Sequence, residues 1–124
     1  MERFCRVVPD TNFLLVPFQF GVDINKELDR ILDFNYRLYT LEGILRELKA
    51  LSKKKGHTAP SKASLEMARG LLIIPENGNV DESLLRIASR DTIICTNDKI
   101  LKEKIKRKGA PVVYLRQKKY LAID

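Results

Sequence analysis

Four acidic residues, Asp10, Glu47, Asp81 and Asp98, fall in this sequence where a carboxylate is placed for chemistry as readily as for solvation. Asp10 ends the β-branched run Arg6-Val7-Val8-Pro9 and is followed by Thr11 and Asn12, and Asp98 follows Cys95-Thr96-Asn97 at a second such boundary. Each has an ordinary alternative: Asp-Thr-Asn is also a turn, Asp81 and Asp98 are also helix caps, and Glu47 is also a surface glutamate. Gathered at one place, however, four carboxylates repel one another and are driven toward neutrality unless cations compensate them. Oxygen-only donors of this kind suit a hard divalent ion, magnesium or manganese.

The elements that must position these acids alternate along the chain. Strands are expected at Arg6–Pro9, Arg37–Thr40, Leu72–Pro75, Thr92–Thr96 and Val112–Leu115. Helices are expected at Ile24–Phe34, Leu41–Leu51, Ser61–Leu72, Asp81–Arg90 and Asp98–Lys108. Lys53 to Pro60 reads as a basic loop, and Phe13 to Phe20 begins as a short helix that meets Pro17. Short strands separated by helices imply right-handed crossovers, hence an α/β fold: a three-layer sandwich around a mainly parallel five-stranded sheet. In such sheets ligands bind beyond the carboxyl ends of the strands, where Asp10 and Asp98 fall. In the helix from Leu41, Glu47 lies about 40° from Leu51, on the edge of the apolar stripe. Asp81 shares a face with Leu84, Leu85 and Ala88.

At 124 residues and 44% apolar content the chain is expected to form a single domain, residues 1–124. Cys5 and Cys95 lack metal-binding or disulfide spacing and are expected to be buried and reduced, and no apolar run is long enough to span a membrane. A cytoplasmic location with no membrane partner is the expectation. The net charge is +7, and residues 99–119 more than account for it, with nine basic residues against Glu103. Such a segment attracts polyanions by counterion release, so Lys99, Lys106, Arg107 and Lys108 are candidate RNA contacts. Its ordinary alternative is a solvated helix face. Phe18 and Phe20, beside Pro17, could stack on bases, but core or dimer contact is the expectation.

The ordered set Val8-Pro9-Asp10-Thr11-Asn12, Ile44-Leu45-Arg46-Glu47-Leu48, Val80-Asp81-Glu82-Ser83-Leu84-Leu85 and Cys95-Thr96-Asn97-Asp98-Lys99 resembles the PIN-domain nucleases over essentially the whole chain. The resemblance implies a metal-dependent endoribonuclease using magnesium or manganese. Asp10, Asp81 and Asp98 would be ligands, and Glu47 a ligand or the group orienting the attacking water. Thr96 matches the family's small polar residue near the pocket, Asn12 is a further polar neighbour, and Glu82 is an alternative to Asp81. Within the family the chain looks like the small archaeal branch similar to ribosomal-RNA-processing nucleases. Toxins of toxin–antitoxin pairs are the other large branch. The resemblance implies a homodimer and a protein partner, an antitoxin or a ribosome-assembly factor.

A metal-free mechanism built on a histidine pair is ruled down by count, since His57 is the sole histidine. It reads as a solvent or phosphate contact. No glycine-rich phosphate loop is present either. A binding module that holds RNA or a ribosomal partner with little catalysis is the competing class.

Overall fold

The computed structural model describes residues 4–56 and 58–124, so that His57 lies outside the described residues. The chain builds strand β1 (Cys5–Pro9), a 3-10 turn at Phe13–Leu15, helices α1 (Val16–Phe20) and α2 (Ile24–Ile31), β2 (Tyr36–Leu41), α3 (Glu42–Leu51) and α4 (Thr58–Arg69). It continues through β3 (Leu72–Ile74), α5 (Val80–Ile87), β4 (Thr92–Cys95), α6 (Lys99–Arg107), β5 (Val112–Arg116) and β6 (Tyr120–Ile123). Among the described residues no helix is long and apolar enough to cross a membrane.

The sheet runs β3-β2-β1-β4-β5-β6 and is parallel except for the last pair. Successive residues on a strand face opposite sides, and both sides are filled. Val8 and Ile94 pack against Ile44, Leu48, Leu84, Leu101 and Ile105. Val7, Ile93 and Cys95 pack against Phe13, Ile24, Leu28 and Leu121. That is the expected three-layer α/β architecture, with α3 to α6 on one face and α2 on the other. Cys5 and Cys95 are buried free thiols, as expected.

The expected five strands are six. The sixth, β6, runs antiparallel to β5 and pairs Leu115 with Leu121. It escapes a sequence reading because its three-residue connection, Gln117-Lys118-Lys119, has none of the glycine or asparagine that usually marks a tight hairpin. Its outer edge is covered from α2: Leu121 N donates to Glu27 Oε1 at 2.9 Å, and Arg30 donates to Leu121 O at 2.8 Å. Helix α4 begins at Thr58, before the expected Ser61, because Pro60 falls in the first turn, where a helix needs no amide donor. Helices α2 and α5 stop three residues early, where Leu32 and Ala88 leave helical geometry.

Strands β2 and β4 flank β1 on opposite sides, so the chain reverses direction of winding there. The crevice that such a switch point opens at the carboxyl ends of β1 and β4 is the usual ligand site of an open α/β sheet.

Candidate active site

Pro9, the last residue of β1, pairs with Cys95, and Asp10 N donates to Cys95 O at 2.9 Å. That register sets Asp10 level with Thr96, one residue past each strand. The Thr96 hydroxyl, fully buried, donates to Asp10 Oδ2 at 2.5 Å, and Asp10 Oδ1 accepts from Phe13 N at 2.7 Å. The acid is thus fixed at both oxygens and starts the 3-10 turn that follows it.

Asp10 is 9% exposed. Burial pushes its carboxyl up from 3.8 to about 6, against the lowering effect of the Thr96 and Phe13 hydrogen bonds, and the charges of Asp81 and Asp98 push the same way.

Asp98 caps α6, its Oδ1 accepting from Leu101 N at 3.0 Å, while its own N–H donates to Thr96 Oγ1 at 3.1 Å. Thr96 therefore links two of the acids from behind. Asp81 was expected on the buried face of its helix, and as a single residue to be a cap. Instead Asn79 caps α5, its Oδ1 accepting from Glu82 N at 3.1 Å, and Asp81 is exposed in the first turn. Glu47, exposed on α3, accepts at Oε2 from the Thr11 hydroxyl. Gly43, one turn earlier, lets α3 approach α5 closely: a Cβ there would lie 2.8 Å from Val80 Cγ2.

All four acids line one cavity of about 530 Å³, with Asn12, Asn79, Asn97, Gln19 and Phe20 among their neighbours and no lysine or arginine in the lining. Glu82 faces a different, smaller hollow. The structure thus brings Asp10, Glu47, Asp81, Asp98 and Asn12 together, with Thr96 behind them and out of reach of solvent. Uncompensated carboxylates with oxygen-only donors match a hard divalent cation in kind and charge. Among the described residues no three acidic, histidine or cysteine side chains are drawn together into a closed metal shell. A magnesium-type ion, which keeps several waters and takes one or two carboxylates, needs no such shell.

The basic candidates stand elsewhere. Lys99 is exposed at the start of α6 but does not line the cavity. Lys106, Arg107 and Lys108 lie at the other end of that helix, about 12 Å along its axis. Lys106 Nζ is 3.6 Å from Asp124 Oδ2, and Lys108 Nζ donates to Leu85 O and Arg86 O, both at 2.8 Å. Phe18 and Phe20, expected in the core or a dimer contact, are 43% and 42% exposed, because α1 ends at once in Gly21 and leaves its last ring outside.

Sequence reasoning missed Thr11, Asn79, Asn97 and Gln19. A signal existed for Asn79, a good capping residue three positions before Glu82. Asn97 bridges both ways to the backbone of Leu115, from Nδ2 to its oxygen at 3.1 Å and from its N–H to Oδ1 at 2.7 Å, which no local pattern announces.

A family model described as a PIN like domain matches residues 7–118. Ribonuclease VapC4 of Methanocaldococcus jannaschii is 33% identical over 125 aligned positions, covering 95% of each chain. Ribonuclease VapC9 of Archaeoglobus fulgidus is 31% identical over 123, covering 97% of this chain and 89% of that one. In three dimensions the fold superposes on the PIN domain endonuclease Utp24 with a TM-score of 0.79 at 20% identity, over 96% of this chain and 90% of that one.

Proposed function

The chain belongs to the family of PIN-like domains, and from that premise we propose that it is a metal-dependent endoribonuclease hydrolysing RNA phosphodiester bonds. The observation that carries this reading is the cavity itself: four carboxylates line it with no basic side chain among the lining residues to balance them. The names of the two archaeal relatives, both ribonucleases, support RNA as the substrate.

Asp10, Asp81 and Asp98 would hold magnesium or manganese, with Glu47 as a further ligand or as the group that orients water. Bound there, the ion supplies an activated water and neutralises charge on the phosphoryl oxygens. The protein's own residues do the rest. Thr96 and the Phe13 amide fix Asp10 in one orientation, so its carboxylate is presented without searching rotamers. Thr11 holds one oxygen of Glu47 and leaves Oε1 to accept from a water in the cavity. Asn12 and Asn79 put amide groups on the cavity wall, where they can donate to phosphate oxygens.

Cleavage of an end-labelled RNA by wild type and Asp10→Asn, each with manganese, with magnesium and with chelator, tests the reading. Metal-dependent cutting lost in the variant is expected. Binding without cutting under every condition would move the assignment to an RNA-binding module. For the cellular setting we propose ribosomal RNA processing. Growth arrest on induction of wild type, absent with Asp10→Asn and relieved by a cognate partner protein, would instead mark a toxin.

A further inference from the structure

At the mouth of the acidic cavity the sign of the charge reverses. Leu115 lines the cavity, and beyond it Arg116 at the end of β5 and Lys118 and Lys119 in the turn are all exposed. Lys118 Nζ lies 5.9 Å from the centre of the Phe20 ring, and Phe20 lines the same cavity. A polyanion approaching four carboxylates is repelled by their charge and attracted by such a rim.

The turn is also conformationally expensive. Gln117 and Lys118, in the three-residue connection 117–119, have left-handed φ of +54 and +56, and neither is glycine or asparagine. Left-handed side-chain-bearing residues of this kind concentrate where a site uses them. An Asn-Gly turn would close the hairpin more cheaply but would carry no cation to Phe20. On the other side, Gly21 at φ +68, with its N–H on Pro17 O at 3.1 Å, stops α1 so that the Phe20 ring stays 42% exposed. At 5.9 Å the lysine sits near the outer limit of a cation–π contact, so the ring face is available to a competitor.

We propose that Phe20 and Lys118 form a nucleotide-gripping pair: a base beside the scissile bond stacks on Phe20, and Lys118 leaves the ring for the backbone phosphate. The inference rests on the endoribonuclease reading and adds a requirement to it. A base that stacks on a protein ring must be unpaired at that point.

Initial rates of manganese-dependent cleavage, on a labelled single-stranded RNA and on the same site locked in a duplex, test the pair over a salt series. Phe20→Ala is expected to lower kcat/KM on the single strand roughly tenfold, mainly through KM. Phe20→Trp is expected to restore it. Lys118→Gln should make the dependence of log(kcat/KM) on log salt shallower by about 0.7. If wild type cuts RNA and both Phe20→Ala and Lys118→Gln match it in KM and salt dependence, the pair is overturned and the endoribonuclease reading stands. A duplex cut as well as the single strand also overturns the pair. Wild type that cuts no RNA overturns the reading itself, and the pair with it.

Discussion

Thr96 and Asp10 stand 86 residues apart in the chain, and the threonine hydroxyl donates to the aspartate at 2.5 Å inside the protein. Because that hydroxyl also accepts from Asp98 N, its hydrogen is committed to Asp10. A hydrogen bond to a charged group contributes about 1.5–3 kcal/mol, and this one favours the ionised acid. Thr96→Val is therefore expected to move the acidic limb of the cleavage pH profile upward by about one unit. Thr96→Ser should leave it in place. Identical limbs in all three proteins would show that Asp10 ionisation does not govern the rate.

Asp10 itself gives a stability signature. Its carboxyl is raised from 3.8 to about 6 by folding, chiefly through burial. Between those values the unfolded chain has released the proton and the folded one retains it. Folding thus loses stability as pH rises through that window and stays weaker above it. The loss is about 2–3 kcal/mol. In chelator, Asp10→Asn should melt above wild type at pH 7.5 by roughly 5–10 °C, and the advantage should shrink near pH 4. Thermal melts at the two pH values check this, and an equal difference at both would refute it.

Gly43 predicts a separation of activity from stability. Alanine is intrinsically better in a helix than glycine, by up to about 1 kcal/mol, yet in the first turn of α3 its methyl would meet Val80 Cγ2 at 2.8 Å. Val80 is stiff at χ1, so α5 must shift away from α3 and carry Asp81 away from Glu47. Gly43→Ala should lower cleavage at least tenfold while changing the melting temperature by only about 5 °C. Full activity in the variant would mean the acids need no fixed spacing.

Lys108 is expected to act in folding alone. Its ammonium sits on the Leu85 and Arg86 carbonyls at the end of α5, where a cation complements the helix dipole. Lys108→Met should lower the melting temperature by about 1–3 °C and leave the salt dependence of RNA cleavage unchanged. A shallower salt dependence would place Lys108 on the RNA.

The parts legible in the sequence share one physical cause. β-Branched runs that stop on Asp10 and on Thr96-Asn97-Asp98 mark buried parallel strands and the edge beyond them at once, so fold and acids came together. Glu47 was legible because helical periodicity fixes its angle to Leu51. The parts not legible depend on tertiary choice. Nothing local says whether Asn79 or Asp81 caps α5. The hairpin to β6 closes through a left-handed Gln117-Lys118 pair that carries no turn signal. A lysine's charge also does not reveal its partner: Lys108 serves carbonyls and Lys118 faces a ring, although both belong to one basic segment.

The covering of β6 by α2 gives the two borders of the sheet different fates under crowding or partial unfolding. On the β6 border the Leu121 amide and carbonyl are satisfied by Glu27 and Arg30, so an incoming strand finds the central rung there already taken. On the β3 border Leu72 and Ile73 are each 47% exposed. Unpaired apolar edges are where strands add intermolecularly, so aggregation of this protein should propagate from β3, and a lysine at position 73 should slow it.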